Sequence, residues 1–321
     1  MRAFDYSAAE SVEQALRLMS EGARPLAGGT DLLTLMKADL AAPERLVNVK
    51  AVLPRAIEPR PDGLAIGALA TLAEIERHAV IVEGYSALAQ AAAAAASPQI
   101  RNLATLGGNL LQRPRCWYFR NARVKCWLKG GDECPAREGE NRHHALFGGG
   151  PCYAVHPSDV AAALLAFDAA VRVHGANGER SFPLDRLLAL PDSAHRVEAR
   201  LAPDELITGV RMPPHPQETR STYLKAMDRS AFAFALVGVA AVLRLSAGKI
   251  AHARIVLSGV APIPWRAAAA ERVLAGAEAN EDCFERAARS ALQDASPLRH
   301  NGYKVPLARA LLRRALRALA S

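Results

Sequence analysis

The spacing of apolar residues divides the chain into amphipathic helices and short strands. In SAAESVEQALRLMSEG, apolar residues between Val12 and Met19 recur at steps of three and four, which predicts a helix capped by Ser7 or Ser11. The stretch GLAIGALATLAEIERH predicts a strand, a turn and a helix that begins near Thr71. These patterns are typical of a chain that mixes helices with strands.

The second half of the chain has the same mixed character. A helix that starts at Ser158 precedes a hairpin that turns at ANGE. After a proline-rich linker at residues 213–216, the pattern predicts a strand, a helix, a strand, a turn at Ala247–Gly248, a strand and two helical stretches. The sequence therefore predicts an α+β fold with a domain boundary near residues 213–220. The C-terminal part is expected to be a smaller antiparallel sheet with helices on one side.

Composition is that of a folded globular protein. The chain has 321 residues, of which 50% are hydrophobic and 22% are charged, and this length suggests about two domains. The sequence shows neither a signal peptide nor an apolar run of about eighteen residues. We therefore expect no membrane span and a cytoplasmic location, or a periplasmic one if a partner subunit carries the export signal.

The net charge of the chain is +8, from 40 Lys and Arg residues against 32 Asp and Glu residues. Most of the excess is scattered as single arginines, and the densest run, RALLRRALRALA, has leucines at helical spacing. This pattern indicates a solvated amphipathic helix rather than a surface that binds nucleic acid or a membrane.

Two glycine pairs stand in similar surroundings. PLAGGTDLL runs from Pro25 to Leu33, and RNLATLGGNLL runs from Arg101 to Leu111. Adjacent glycines let backbone amides approach a ligand closely, and the neighbouring threonine and asparagine add polar groups. Neither segment has the spacing of a Walker or Rossmann motif, and each alone is compatible with a tight turn. Together they predict two loops that close on one extended anionic ligand, such as a dinucleotide.

These two loops, with HPSDVAAALLAFDA and YLKAMDRSAFAFALVGVAAVL, resemble the FAD-binding medium subunits of the xanthine dehydrogenase and aldehyde oxidoreductase family of molybdenum hydroxylases. The resemblance covers essentially the whole chain. It implies a FAD-binding domain of vanillyl-alcohol-oxidase (PCMH-like) type at residues 1–215, in two parts divided near residues 55–60. Residues 216–321 would be similar to the C-terminal domain of the CO dehydrogenase flavoprotein.

The resemblance also implies FAD contacts in the two glycine loops and in two later segments. The residues that match are Leu26, Ala27, Gly28, Gly29, Thr30, Asp31, Leu32, Leu33, Thr105, Gly107, Gly108, Asn109, Ser158, Asp159 and Lys225. The last three also have simpler explanations. Ser158 or Asp159 suits the N-cap of a helix, and Lys225 could be a lysine beside a strand.

Four of the five cysteines are Cys116, Cys126, Cys134 and Cys152, whereas Cys283 stands alone in a helical stretch. Zinc favours close cysteine pairs, which this spacing lacks, and disulfides need an oxidising compartment. Four unrelated free thiols would not be expected to cluster in this way. The spacing therefore favours an iron–sulfur cluster, which accepts four thiolates from a long loop.

The insertion at about residues 112–155 resembles one branch of the family, in which such a loop holds a [4Fe-4S] cluster. That branch includes periplasmic aldehyde oxidoreductases and 4-hydroxybenzoyl-CoA reductase, and CWYFRN and GENRHHALFG are more similar to the aldehyde oxidoreductases. Nearby basic side chains offer positive charge to an anionic site, namely Arg115, Arg120, Lys125 and Arg142. His143 and His144 are the alternative ligands, but with four cysteines available we interpret them as polar loop residues.

The resemblance implies an electron-transfer subunit that carries FAD and a [4Fe-4S] cluster in a heterotrimeric aldehyde oxidoreductase. Its partners would be a molybdopterin-binding large subunit, a [2Fe-2S] small subunit and an external electron acceptor. No independent catalytic residues are predicted in this chain, because the substrate would be oxidised in the large subunit. The sequence leaves the substrate and the terminal acceptor open.

Three alternatives stand beside this interpretation. The chain could be the corresponding subunit of a 4-hydroxybenzoyl-CoA reductase-like or xanthine dehydrogenase-like enzyme, or a self-sufficient flavin reductase of the same fold. From another class, the net charge and the aromatic residues of the cysteine loop would suit a zinc-stabilised nucleic-acid-binding protein. That last alternative does not explain the two glycine loops.

Overall fold

A small parallel sheet comes first along the chain. The computed structural model describes residues 1–19 and 22–321, and this first sheet has the strand order β1-β3-β2. Its elements are β1 (Asp5–Ala8), α1 (Val12–Leu18), β2 (Ala23–Leu26), α2 (Leu32–Lys37) and β3 (Arg45–Asn48). The side chain of Ser11 accepts a hydrogen bond from the backbone N–H of Gln14 at 3.1 Å, so Ser11 rather than Ser7 caps α1.

The second sheet has the strand order β4-β5-β8-β6-β7, and each neighbouring pair is antiparallel. Its strands are β4 (Ile57–Arg60), β5 (Gly63–Gly67), β6 (Ala170–Gly175), β7 (Gly178–Pro183) and β8 (Leu206–Met212). The helices along this part of the chain are α3 (Leu72–Arg77), α4 (Ala79–Gly84), α5 (Ser86–Ala94), α6 (Pro98–Arg101), α7 (Leu106–Leu110), α8 (Trp117–Arg120), a 3-10 helix (Trp127–Lys129), α9 (Asp159–Ala166) and α10 (Leu184–Leu187). Thr71 begins α3 with a capping box to Glu74, and Ser158 caps α9, so both predicted helix starts are confirmed.

Helix α9 lies at the centre of the main core, because all of its residues are buried. After Asp159 its sequence VAAALLA is apolar on every side, as expected of a helix with no solvent face. The helix shares one hydrophobic cluster with Leu64 and Ile66 of the five-stranded sheet and with Ala240 and Val242 of the C-terminal sheet. The N-terminal and the C-terminal halves of the chain therefore share a core.

The C-terminal sheet is antiparallel with the strand order β12-β11-β10-β9. Its elements are β9 (Thr219–Ala226), β10 (Val237–Ser246), β11 (Lys249–Ser258), β12 (Trp265–Arg266), α11 (Ala268–Leu274), α12 (Glu281–Ser290) and α13 (Lys304–Ala320). Along β10, Ala240 and Val242 belong to the core around α9, whereas Val239, Ala241 and Leu243 pack with the C-terminal helices. The sheet's own helices cover one face, as predicted, and α5 and α9 cover the other.

The helix predicted between β9 and β10 is wrong. Residues 227–236 form a turn with bends, because Val237 of β10 already pairs with Ala226 of β9 and the chain must reverse between them. Phe232 has a φ of 53°, which a right-handed helix does not allow. The alternation of alanine and phenylalanine in this segment resembles a helical or strand pattern although it belongs to a loop.

The other elements confirm the predicted α+β fold with its antiparallel C-terminal sheet. The longest helix is α13, with 17 residues. Across the part of the chain that the structure describes, no helix combines the length and the apolar composition needed to cross a bilayer.

Candidate functional site

The two glycine loops lie in direct contact. A Cβ atom on Gly28 would stand 2.0 Å from the carbonyl oxygen of Leu103, which is closer than any side chain allows. Only glycine therefore lets the first loop rest on the backbone that leads into the second loop. The first loop runs from Leu26, the last residue of β2, through Ala27–Asp31 to α2. Leu32 and Leu33 are the first two residues of that helix.

The second loop presents one glycine to the outside. The Oγ1 atom of Thr105 caps α7 and accepts a hydrogen bond from the Gly108 backbone N–H at 3.4 Å. A Cβ on Gly107 would lie 3.2 Å from that of Ala68, so Gly107 is packed inward. A Cβ on Gly108 would meet only the Thr105 hydroxyl, at 3.1 Å, and the residue is exposed. Gly108 is therefore the position at which a ligand can approach this backbone.

Asn109 joins the second loop to α9. The Ser158 hydroxyl donates to the Asn109 Oδ1 atom at 2.5 Å and accepts from the backbone N–H of Ala161 at 2.9 Å. The helix-cap explanation of Ser158 is thus confirmed, and the same hydroxyl fixes the asparagine. The structure brings Thr105, Asn109 and Ser158 together at the N-terminal end of α9.

Asp159 and Lys225 bind each other in the interior. Lys225 Nζ donates to Asp159 Oδ2 at 2.7 Å and to the carbonyl oxygen of Ala94 at 2.9 Å, and both charged side chains are less than 5% exposed. The Tyr223 hydroxyl donates to Asp159 Oδ1 at 2.5 Å. Burial raises the pKa of Asp159, and Lys225 opposes that rise. In this arrangement the two charges stabilise each other, and their predicted contact with a flavin stays a prediction.

The cysteine-bearing part of the chain, which we call the thiol segment (residues 112–155), places three of its four cysteines in or against one apolar cluster. Cys126 and Cys152 are buried in a cluster with Leu35 of α2, and Cys116 packs against its edge. The neighbouring thiol of Cys152 lowers the pKa of Cys134 to about 6, and Cys134 together with burial raises the pKa of Cys152. Among the described residues, no group of three or more His, Cys, Asp or Glu side chains is placed to hold a metal ion.

Cys283, as predicted, lies apart from the other cysteines. It is buried in the core formed by the C-terminal sheet and helices. Its sulfur is thus separated from the thiol segment by the fold as well as by the sequence.

His144 was missed as a site residue. Its Nε2 atom lies 3.2 Å from the sulfur of Cys116, and burial lowers the pKa of His144 to about 4 and raises that of Cys116 to about 11. The imidazole is therefore neutral and faces the sulfur with one ring nitrogen, while its Nδ1 atom has no hydrogen-bond partner within the described chain. Because His143 stands directly beside His144, nothing in the sequence indicates which of the two histidines faces the cysteine.

The C-terminal helix holds the backbone of the thiol segment. Lys304 Nζ donates to the carbonyl oxygen of His144 at 3.0 Å and to that of Gly259 at 2.7 Å. The Asn301 side chain donates to the carbonyl oxygens of His144 and Ala145 at 3.1 and 3.0 Å. Lys304 and Asn301 are both fully buried, and burial lowers the pKa of Lys304 to about 7. This contact joins the C-terminal domain to the segment that carries the cysteines.

Two family models match this chain. The one described as the FAD binding domain in molybdopterin dehydrogenase matches residues 2–215, and the one described as the CO dehydrogenase flavoprotein C-terminal domain matches residues 222–319. The first alone spans more than half of the chain. The protein therefore belongs to the FAD-binding medium subunits of the molybdenum hydroxylase family.

Individual relatives agree with this family. The aldehyde oxidoreductase FAD-binding subunit PaoB of Escherichia coli (strain K12) is 38% identical and aligns over 97% of this chain and 96% of its own. The carbon monoxide dehydrogenase medium chain of Hydrogenophaga pseudoflava is 27% identical, over 98% of this chain and 96% of its own. The solved structure of reconstituted CO dehydrogenase from Oligotropha carboxidovorans matches with a TM-score of 0.79 at 25% identity, covering 99% of this chain and 98% of that chain.

The Lys304→Met substitution tests the contact between the C-terminal helix and the thiol segment. Because the pKa of Lys304 is about 7 in the fold and 10.5 in the unfolded chain, the unfolded chain binds more protons between these values. The positive charge of Lys304 therefore reduces the free energy of unfolding most below pH 7, and progressively less as the pH rises towards 10. The free energy of unfolding of the wild type, measured relative to Lys304→Met by urea denaturation, should increase across this range by at most about 1.4 kcal/mol per pH unit.

Lys249, which is exposed, provides the matched control for this measurement. The Lys249→Met curve should run parallel to that of the wild type at every pH. If the Lys304→Met curve also ran parallel to that of the wild type, the lowered pKa of Lys304 would be wrong.

Proposed function

We propose that this chain is the electron-transfer subunit of a molybdenum-containing aldehyde oxidoreductase and that it carries FAD and a [4Fe-4S] cluster. The observation that carries the proposal is the contact between Gly28 and the Leu103 carbonyl, which joins the two glycine loops of a FAD-binding family next to a segment with four cysteines. The 38% identity to an aldehyde oxidoreductase subunit supports an aldehyde as the substrate class of the complex.

The proposed FAD site consists of the two glycine loops and the N-terminal end of α9. The loops fit a diphosphate because their backbones meet without intervening side chains, and because Gly108 leaves open space at the surface. Asn109 and Ser158 hold the second loop in place through their 2.5 Å hydrogen bond. Bound FAD would supply the ability to take up electrons and pass them to an external acceptor.

The proposed cluster site consists of Cys116, Cys126, Cys134 and Cys152. The donor set fits an iron–sulfur cluster, because three of the thiols lie in or against one apolar cluster and Cys134 is near enough to influence their charge. These four thiolates would be the ligands of the cluster, which would supply a one-electron redox centre. His144 is placed to donate a hydrogen bond to the sulfur of Cys116, which is one way in which a protein tunes such a cluster.

The chain is proposed to act with two partners, a molybdopterin-binding large subunit and a [2Fe-2S] small subunit. Substrate oxidation is assigned to the large subunit, and the location would be the cytoplasm, or the periplasm if a partner carries the export signal. The matched relatives include a subunit named as FAD-binding and a chain named as medium, which supports a multi-subunit enzyme. The zinc-stabilised nucleic-acid-binding alternative finds no support in this family.

The Gly108→Val substitution tests the FAD site. The branched side chain would occupy the open space beside the second loop, so FAD should bind about tenfold or more weakly, as expected for one lost hydrogen bond to a charged group. Titration of the flavin-free chain with FAD, followed by flavin fluorescence, measures the dissociation constant. Gly84→Val is the control, because a Cβ there meets nothing within 4 Å and Gly84 lies in α4. Equal affinities in the two variants would place the diphosphate elsewhere.

Serine substitutions test the cluster site. Cys126→Ser and Cys134→Ser should each lose most of the iron and sulfide taken up in anaerobic reconstitution, because serine is a poor replacement for a thiolate ligand. Cys283→Ser should retain the wild-type iron content, since Cys283 lies in the separate C-terminal core. Metal analysis and the paramagnetic signal after reduction provide the measurement. The same iron content in all three variants would refute the assignment.

Dependence on partners tests the role of the chain. The purified chain should oxidise no aldehyde with any artificial acceptor, although dithionite should bleach its flavin. When it is co-expressed with a molybdopterin-binding subunit and a [2Fe-2S] subunit, the three should co-purify, and an added aldehyde should then bleach the flavin. Aldehyde turnover by the isolated chain without molybdenum would show that substrate chemistry belongs to this polypeptide after all.

A further inference from the structure

Asp31 lies in the first glycine loop, but its carboxylate binds the thiol segment. Its Oδ2 atom accepts a hydrogen bond from the backbone N–H of Arg113 at 2.9 Å. Its Oδ1 atom forms an ion pair with Arg115 Nη1 at 2.7 Å and accepts a hydrogen bond from Arg120 Nη2 at 2.8 Å. Only 15% of the Asp31 side chain is exposed, so water competes little for these bonds. One carboxylate of the first glycine loop therefore binds three groups of the thiol segment.

These three arginines flank Cys116 in the sequence, and the Arg120 backbone N–H donates to the Cys116 carbonyl oxygen at 2.9 Å. The guanidinium of Arg120 also donates to the carbonyl oxygens of Pro114 and Arg113, at 2.7 and 2.9 Å. It thereby closes the turn that contains Cys116. The position of this cysteine thus depends on a guanidinium whose charge Asp31 balances.

Helix α2 adds an apolar contact to this polar one. Leu35 follows Asp31 by one helical turn and packs in the cluster that contains Cys126, Cys152 and Trp127. The first loop and α2 therefore touch the thiol segment through a carboxylate and a leucine. A displacement of the loop would act on at least three of the four grouped cysteines.

The two neighbouring guanidinium groups make this contact sensitive to the loss of the negative charge of Asp31. Burial and, to a smaller extent, the nearby Arg120 lower the pKa of Arg115, whereas Asp31 opposes this and stabilises the charged guanidinium. An asparagine at position 31 would keep the size of the side chain but leave the two guanidinium groups facing an uncharged amide. The turn around Cys116 would then lose the group that holds it against the first loop.

We propose that Asp31 is a positioning residue that couples the first glycine loop to the thiol segment, so that a ligand bound at the loop restrains the cysteines. The identity of that ligand, FAD, rests on the proposed function. The contact between Asp31 and the arginines does not depend on it.

The reactivity of the grouped thiols tests this coupling in the full-length chain. In a Cys283→Ser background, the rate of modification by a disulfide reagent such as DTNB reports on the four cysteines of the thiol segment alone. We expect saturating FAD to slow this rate about fivefold or more in the parent chain, a typical size for coupling between sites. In Asp31→Asn the thiols should react faster without FAD, and saturating FAD should protect them little.

Asp168→Asn is the matched control, because Asp168 also binds two arginines, Arg254 and Arg266, at a different place in the fold. It should behave as the parent chain does, with and without FAD. Arg120→Gln removes the contact from the other side, and it should reproduce the effect of Asp31→Asn. The double variant should add little to either single variant.

Two results would overturn the inference. One is an equal thiol rate in the parent chain, Asp31→Asn and Asp168→Asn. The other is full FAD protection in Asp31→Asn or in Arg120→Gln. A third result would separate the two proposals. If the parent chain bound no FAD, but its thiols were modified faster in Asp31→Asn and not in Asp168→Asn, the proposed flavin site would be refuted and the positioning role of Asp31 supported.

Discussion

The buried ion pair between Asp159 and Lys225 fixes the arrangement on which both parts of the site depend. Two charges less than 5% exposed are tolerable only when each is satisfied, and here Tyr223 and the Ala94 carbonyl oxygen supply the remaining hydrogen bonds. Removing either partner would leave a buried charge, at a cost of about 3–5 kcal/mol. Because Asp159 begins α9 and Lys225 belongs to β9, the pair sets the N-terminal end of α9 against the C-terminal sheet.

Both parts of the site are attached near that end of α9. The second glycine loop reaches it through Asn109 and Ser158, and the first loop lies on the second because Gly28 has no side chain. The thiol segment leads directly into α9 and binds the first loop through Asp31. A single buried helix therefore gives the glycine loops and the cysteines one common frame.

Local signals in the sequence predicted much of this frame. The α+β fold, the capping of α3 and α9 and the separation of Cys283 follow from patterns within a few residues of each feature. The ion pair of Asp159 could not be derived in this way, because Lys225 reaches it only through the packing of β9 against α5 and of the neighbouring strands β10 and β11 against α9. The ring of His144 and the arginine partners of Asp31 were missed for the same reason. The loop at residues 227–236 was predicted as a helix because composition does not reveal that a strand pair must turn there.

The packing also bears on what the C-terminal domain does for the site. The two family models divide the chain between residues 215 and 222, but the core around α9 crosses that division and takes in Ala240 and Val242. Lys304 and Asn301 then bind the backbone of His144, and the His144 ring faces the sulfur of Cys116. Because these donors are fully buried, they could not be replaced by water without opening the interface. The C-terminal domain is therefore a structural part of the cysteine site, and the thiol segment is held from two sides, by Asp31 and by the last helix.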